Sequence, residues 1–288
     1  MSRPASTVTA SAGSHDYRRH AALVRITHWI NVVALTILLM SGLGIFNAHP
    51  ALYWGHSSYD GRPPLVAVDA RVTGADELRG TTTIGSATFD TTGVLGASRD
   101  RDGEWSARGF PWWITIPDNL WLSMSRAWHF FFAWVLVLNG LAYLAYGLAS
   151  RHFTRDVLPT RGDLAGIGAS IRDHLRFRHA HGEAATRYNV LQKIAYLAIV
   201  FVILPLTVLM GLAMSPWLDG VWPGWVDLFG GRQAARTIHF ACAWLIVAFV
   251  AIHVFQVIVT GLWNNLRSMI SGRYRIDASA EEGPDAPR

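Results

Sequence analysis

The sequence predicts an all-α integral membrane protein, a four-helix transmembrane bundle with a long extracytoplasmic insertion between helices 1 and 2. Only 16% of its 288 residues are charged, whereas soluble domains average about 25%. The deficit comes from four apolar runs of at least 21 residues that contain no Asp, Glu, Lys or Arg. A helix crosses the hydrocarbon layer in about 20 residues, so each run can span it. The runs are Ile26–Phe46, Ala127–Ala149, Ile194–Met214 and Thr237–Trp263.

Arginines flank these runs unevenly, which predicts the orientation of the chain. Residues 1–25 contain four arginines and residues 150–188 contain seven, whereas residues 215–236 contain two. Because positively charged flanks remain in the cytoplasm, we expect both termini to face the cytoplasm of a bacterial cell, with the chain in its inner membrane. The predicted segments are a cytoplasmic tail (1–24), transmembrane helix 1 (25–47), a periplasmic insertion (48–120), transmembrane helix 2 (121–149), a cytoplasmic loop (150–188), transmembrane helix 3 (189–214), a periplasmic loop (215–235), transmembrane helix 4 (236–266) and a cytoplasmic tail (267–288).

Some of the polar segments are expected to be ordered and others disordered. The insertion alternates turn residues with β-prone pieces such as LVAVDARV and TTTIGSATF, so we expect a small ordered cap with some β-hairpin content. The terminal stretches MSRPASTVTASAGS and DASAEEGPDAPR are expected to be disordered. The net charge of +5 does not indicate a nucleic-acid partner, because the arginines follow the topology of a chain embedded in a lipid bilayer.

Four of the twelve histidines lie within the apolar runs, and their depths match in pairs. His239 and His253 are fourteen residues apart, so they share one helix face and lie about 21 Å apart along the axis. Because the helices alternate in direction, His28 is level with His253 near the cytoplasmic surface, and His129 is level with His239 near the outer surface. A bis-histidine b-type haem needs one such pair from facing helices. The pairs His28–His253 and His129–His239 therefore predict two haem b groups, with these residues as ligands of the iron.

Three of these histidines follow an arginine at position i−3, namely Arg25, Arg126 and Arg236. That spacing places the guanidinium one turn nearer the surface on the same face, where haem propionates need cations. Arg25 is equally well explained as a positive-inside anchor. Lys193, the only lysine, lies at the cytoplasmic start of helix 3. It is a candidate for binding a propionate or a quinone carbonyl, and equally for a snorkelling anchor.

Other metal chemistry fits the pattern less well. Zinc needs a third or fourth ligand, and no apolar run contains a carboxylate that could join two histidines at one level. A histidine-based proton or metal transporter also requires acidic or further polar residues within the spans, so it is a weaker alternative. The single cysteine, Cys242, excludes cysteine-ligated clusters within this chain.

Four short stretches together carry a resemblance to a known family. They are RITHW in the first span, RAWHFFFAW in the second, YNVLQKIAY before the third and GGRQAARTIHF entering the fourth. From about Arg18 to Arg267, the chain resembles the di-haem cytochrome b subunits of the bacterial cytochrome b561 and Ni/Fe-hydrogenase superfamily. The most similar branch is the thiosulfate-reductase-type cytochrome b, or cytochrome b/b6-domain, proteins. The ligand arrangement of the family maps onto His28, His129, His239 and His253.

The resemblance implies an electron conduit. Quinone or quinol exchanges electrons beside one haem, by analogy the cytoplasmic-side one, and the outer haem exchanges them with a periplasmic redox subunit that the chain anchors. For this branch the implied partner is a molybdopterin oxidoreductase, and the chain is its electron-transfer subunit rather than a stand-alone enzyme. Some small relatives resemble self-sufficient quinone-linked superoxide oxidases, which is the first alternative. The insertion is longer than in hydrogenase-type members, which favours docking of a partner over free access of a substrate.

Overall fold

A computed structural model of the chain describes residues 15–58, 60–74, 77–175 and 189–276. The two terminal stretches expected to be disordered, residues 1–14 and 277–288, lie outside the described residues. Residues 176–188 of the predicted cytoplasmic loop, which include the first residue of YNVLQKIAY, lie outside them as well.

Four long apolar helices dominate the described chain. Each has 24 to 28 residues, so each is about 36 to 42 Å long and exceeds the hydrocarbon thickness of a bilayer. At most 22% of the residues in their most apolar stretches are buried within the protein, which a soluble bundle would not tolerate but a lipid-facing surface requires. The four helices are α1 (Ala22–Phe46), α2 (Leu122–Ala149), the continuous segment Val190–Ala213 and α8 (Arg232–Val259).

The third of these helices changes its winding halfway along. It consists of α5 (Val190–Ala198), a π-helical turn (Ile199–Ile203) and α6 (Leu204–Ala213). Pro205 lies at the start of α6. Proline lacks an N–H and its ring collides with the carbonyl one turn earlier, so a wider turn at this point relieves the collision.

The segment between α1 and α2, residues 47–121, is the cap, and most of its regular secondary structure is β-strand. Four strands form an antiparallel sheet in the order β2-β3-β4-β5, and two more form a hairpin. The β-prone pieces LVAVDARV and TTTIGSATF supply β3 and the β4–β5 hairpin, in line with the expected hairpin content. The strands are β2 (Ala51–Leu52), β3 (Val66–Val72), β4 (Leu78–Ile84), β5 (Ala87–Asp90), β6 (Gly96–Arg99) and β7 (Trp105–Arg108).

Two glycines allow the sheet and the hairpin to pack closely. A Cβ on Gly80 would lie 2.6 Å from the backbone nitrogen of Ala97, and one on Gly96 would lie 2.9 Å from Cα of Gly80. Gly96 also has a φ of +81°, which disfavours residues with a side chain. A cluster of buried apolar side chains then joins the cap to the end of α1. It contains Leu43, Phe46, Leu52, Val68 and Phe110.

The chain divides into two compact units. One contains residues 27–144 and 198–250, and so includes the cap. The other contains residues 1–26, 145–197 and 251–288.

In the second unit, a short ribbon joins the two ends of the described chain. β1 (His15–Arg18) pairs antiparallel with β8 (Arg273–Ile276). The same unit contains the short helices α3 (Arg161–Ala165), α4 (Ile167–Leu175) and α9 (Leu262–Ser271). The short helix α7 (Pro216–Val221) belongs to the unit that includes the cap.

Candidate haem site

The imidazoles of His129 and His239 face each other between two long helices. His129 belongs to α2 and His239 to α8, and their ring centroids lie 6.1 Å apart with the planes at 65°. Iron bonded to one nitrogen of each ring at about 2 Å separates the centroids of a bis-histidine haem by about 6 Å. The observed spacing therefore leaves room for one metal ion bonded to both rings.

Hydrogen bonding fixes which nitrogen of His129 is available to a metal. Its Nδ1 lies 3.1 Å from the carbonyl oxygen of Leu38 and 3.1 Å from Oγ of Ser41. A carbonyl oxygen can only accept, so Nδ1 carries the proton and donates it. The lone pair of the neutral ring then lies on Nε2, which is the atom free to bind a metal.

His239 is held in the same way by a different helix. Its Nδ1 lies 2.8 Å from the carbonyl oxygen of Thr207 in α6, so Nδ1 again donates and Nε2 again carries the lone pair. Histidine ligands of metals characteristically donate their second nitrogen to a carbonyl or carboxylate, which fixes the ring and raises the basicity of the ligand. Both rings of the pair therefore have the tautomer and the support of a metal ligand.

A glycine lies beside each histidine, four residues after the accepting carbonyl. Gly42 follows Leu38 in α1, and Gly211 follows Thr207 in α6. A Cβ on Gly42 would lie 3.3 Å from Cε1 of His129, and one on Gly211 would lie 3.6 Å from Cε1 of His239. The two helices thus present the same recess, a carbonyl with a glycine one turn later, in which an imidazole fits.

The donor set suits haem rather than a simple metal ion. No group of three or more His, Cys, Asp or Glu that could hold a metal ion is found in the described part of the chain. Zinc sites need at least three protein ligands, whereas the porphyrin of a b-type haem leaves only two positions for protein nitrogens. Two neutral imidazoles at this spacing satisfy that requirement.

The other two predicted ligands lie in α1 and α8. His28 is half-buried in α1, and its ring meets that of Trp29 edge-on with the centroids 5.4 Å apart. His253 is half-buried in α8. The two residues belong to different units of the chain, and their pairing around a second haem stays a prediction.

Two of the four predicted cations contact protein groups at the ends of helices. Arg25 Nη1 donates to the carbonyl of Ile270 at 2.5 Å, in the last turn of α9, where carbonyls lack helical partners and favour a cation. Lys193 Nζ lies 2.9 Å from Oδ2 of Asp163. The hydrogen bond from Lys193, followed by those from Thr160, lowers the pKa of Asp163 to about 2.

The other two predicted cations belong to the unit that contains the cap. Arg126 is exposed, and its guanidinium lies over the ring of Phe130 at 5.5 Å. Arg236 donates through Nη1 to the carbonyl of Ala51 at 3.0 Å and through Nη2 to that of His49 at 2.5 Å. Binding of a propionate or a quinone by these four cations stays a prediction.

A feature that the sequence did not predict is a strap, residues 49–56, which lies along the start of α8. The carbonyl of Gly55 accepts the backbone N–H groups of Gln233 and Ala234 at 2.9 and 3.1 Å, and so caps donors that a helix start leaves unpaired. Thr237 Oγ1 donates to the carbonyl of Tyr53 at 2.7 Å. Together with the two bonds from Arg236, these contacts fix the cap to the helix that carries His239.

The strap also contains a half-buried histidine, His49. Burial, followed by the charge of Arg236, lowers the pKa of His49, so this ring is neutral at pH 7. Its plane stacks on Tyr53 with the ring centroids 5.7 Å apart. No sequence signal predicted that the strap binds α8, because its hydrogen bonds join residues about 180 positions apart along the chain.

Comparison with known proteins identifies the family of the chain. The profile of the family described as prokaryotic cytochrome b561 matches residues 19–272. A putative protein-methionine-sulfoxide reductase subunit, YedZ1, from Azospira oryzae is 29% identical over 84% of this chain and 90% of its own length. A probable Ni/Fe-hydrogenase B-type cytochrome subunit from Cupriavidus necator is 23% identical over 88% of this chain and 84% of its own length. No solved structure matches the chain significantly.

The profile covers all four long helices and both members of the His129–His239 pair. The chain belongs to the prokaryotic cytochrome b561 family and is an integral membrane, haem b-binding protein of electron transport.

Proposed function

We propose that the chain is the di-haem subunit of an oxidoreductase complex, which it also anchors, and that it transfers electrons between the quinone pool and a periplasmic redox partner. The observation that carries the proposal is the His129–His239 pair, with both Nδ1 atoms donating to carbonyls and the rings 6.1 Å apart. When bound, haem b supplies a one-electron redox centre. The chain holds its two imidazoles in fixed tautomers.

The second haem rests on the sequence. His28 and His253 are level with each other if the helices alternate in direction, and a single haem would leave both without a task in an apolar environment. Two haems at different depths give electrons a route across the membrane. We place the quinone near the cytoplasmic-side haem, by analogy with the family.

The partner is proposed to bind on the side of the cap. In the proposed topology the cap and the loop before α8 are periplasmic, and the strap binds Arg236 and Thr237 of α8, within one turn of His239. The two relatives are named as subunits of a protein-methionine-sulfoxide reductase and of a Ni/Fe hydrogenase. A separate redox subunit, with a molybdopterin oxidoreductase as the leading candidate, fits a surface that is large and ordered.

The count of haems per chain tests the proposal. We expect the full chain, purified in detergent, to contain two haem b by pyridine haemochromogen assay. His129→Ala and His239→Ala should each lower the count to about one, since each removes a ligand of the same haem. His28→Ala and His253→Ala should do the same for the other haem.

A matched control is His56→Ala, which removes an exposed histidine of the strap. It should leave two haems per chain. Retention of two haems after His239→Ala, or one haem in the unmodified chain, would contradict the di-haem assignment. Reduction of both haems by added quinol in membranes tests the link to the quinone pool separately.

A further inference from the structure

The ribbon formed by β1 and β8 concentrates positive charge on one of its faces. In the antiparallel register Arg18 is opposite Arg273, and Asp16 is opposite Arg275. Side chains of directly opposed residues lie on the same face, and alternate residues of a strand share a face. These four side chains therefore project together, whereas the tyrosines at positions 17 and 274 face the other way.

The opposed arginines Arg18 and Arg273 form an unfavourable pair as they stand. Their Cβ atoms are held about 5 Å apart by the ladder, and like charges in that arrangement are destabilising. Within the described residues no carboxylate lies within ion-pairing distance of either guanidinium. The nearest acid on this face, Asp16, is already bound by Arg267 of α9 at 2.9 Å.

A second pair of opposed arginines shows how the chain balances such charges elsewhere. In the cap, Arg71 is opposite Arg79 across β3 and β4. There Arg79 contacts two carboxylates, Glu77 at 3.6 Å and Asp90 at 4.0 Å. The ribbon has the same arrangement of arginines without the compensating acids, so an anion from outside the described residues would stabilise it.

The ribbon also provides space for such an anion. A cavity of about 400 Å³ is lined by Asp16, Arg18, Ser271 and Arg273. Guanidinium groups match the oxygen atoms of a phosphate in bidentate geometry. Two exposed arginines that line one cavity are therefore suited to a phosphate group.

The helix packed against the ribbon indicates where the phosphate comes from. Asn264 of α9 exchanges two hydrogen bonds with the backbone of Arg275, at 2.8 and 2.9 Å, so helix and ribbon form one body. On another side of α9, Trp263 and Ile270 are 81% and 68% exposed. They are seven residues apart and share a face. An amphipathic helix that exposes tryptophan and isoleucine lies in the membrane interface, with its basic neighbours at the level of the headgroups.

We propose that Arg18 and Arg273 bind the phosphate of an anionic phospholipid, with α9 buried beside it in the interface. The bound lipid replaces the missing carboxylates and holds β1 and β8 together at the membrane surface. The site is distinct from the predicted haem ligands, because it includes none of His28, His129, His239 and His253.

Lipid titration of the full chain, purified in a phosphate-free nonionic detergent and followed by native mass spectrometry, tests the proposal. We expect phosphatidylglycerol to bind more tightly than phosphatidylcholine. Arg18→Gln combined with Arg273→Gln should weaken phosphatidylglycerol binding about tenfold to thirtyfold. Arg71→Gln combined with Arg79→Gln removes the same charge from an opposed pair in the cap and should leave binding unchanged. The same haem content as the unmodified chain and an unchanged pattern of limited digestion by chymotrypsin establish that each variant is folded.

Four outcomes would overturn the proposal. If the unmodified chain and the Arg18→Gln, Arg273→Gln double variant bound phosphatidylglycerol equally well, these arginines would not form the site. If phosphatidylcholine bound as tightly as phosphatidylglycerol, the site would not require an anionic lipid. Displacement of phosphatidylglycerol by millimolar inorganic phosphate would identify a free phosphate site instead. Lipid binding seen only after deletion of residues 277–288, which contain four carboxylates, would make that segment the occupant.

Discussion

At the scale of single residues, the candidate haem site depends on main-chain carbonyls and glycines, which are not ligands themselves. Each imidazole of the His129–His239 pair donates a hydrogen bond to a main-chain carbonyl. Each also lies beside the glycine that follows this carbonyl four residues later in the same helix. The sequence predicts the two histidines from depth and spacing. It does not predict their supports, because a glycine in an apolar helix is equally explained by close helix packing.

Gly42→Ala should weaken haem binding at the His129–His239 pair more than Gly211→Ala does. The added methyl would lie 3.3 Å from Cε1 of His129, against 3.6 Å from Cε1 of His239 for Gly211. Overpacking of this kind costs about 1 to 3 kcal/mol. We expect Gly42→Ala to lower the temperature at which one haem is released by about 5 °C, measured from the Soret absorbance during heating.

The control for this experiment is Gly140→Ala in α2, where a Cβ would meet nothing within 4 Å. An interior helical glycine replaced by alanine gains about 0.5 to 1 kcal/mol, so the haems should be retained at least as well. An equal loss in the Gly42 and Gly140 variants would show that the recess around His129 does not matter.

At the scale of elements, the sequence predicts helices better than their connections. The four apolar runs coincide closely with the four long helices, because hydrophobicity over 20 residues is a local signal. The strap on α8 and the ribbon of β1 with β8 join residues 180 to 260 positions apart, and no local pattern encodes such pairs. Lys193 illustrates the same limit, because its contact with Asp163 depends on how residues 160–175 fold.

The contact between Lys193 and Asp163 should make the docking of α3 sensitive to acid. The pKa of Asp163 falls from its ordinary value near 3.8 to about 2, chiefly through the hydrogen bond from Lys193. A carboxyl whose pKa is lower in the folded state adds stability that is complete above the ordinary pKa and is lost as the pH falls towards the folded one. Amide hydrogen exchange in residues 161–175, corrected for intrinsic rates, should therefore be constant from pH 7 to pH 5 and rise below about pH 4.

Asp163→Asn should remove that dependence and raise exchange in the same residues at every pH. Asp90→Asn is the matched control, because hydrogen bonds from Thr92 lower the pKa of Asp90 in the cap, away from α3. If Asp163→Asn left exchange unchanged at pH 7, the ion pair would not hold α3 in place.

At the scale of the whole molecule, the arrangement of charge and of folded parts indicates how the chain lies in the membrane. The unit that contains α3, α4 and α9 also holds most of the arginines that flank the spans, whereas the cap carries six arginines, no lysine and nine acids. Arginine-rich flanks stay in the cytoplasm because their translocation is disfavoured, while acidic residues have little influence. The proposed electron path from a cytoplasmic-side quinone to a periplasmic partner requires this orientation.

Cysteine labelling measures the orientation directly, since Cys242 is the only cysteine and is buried. In a Cys242→Ser background, Thr88→Cys places a thiol on an exposed strand of the cap, and Ala169→Cys places one on an exposed position of α4. We expect a membrane-impermeant maleimide to label the first variant in intact spheroplasts and the second only after lysis. The reverse pattern would place the cap in the cytoplasm, and a periplasmic partner could then no longer receive electrons at the surface beside His239.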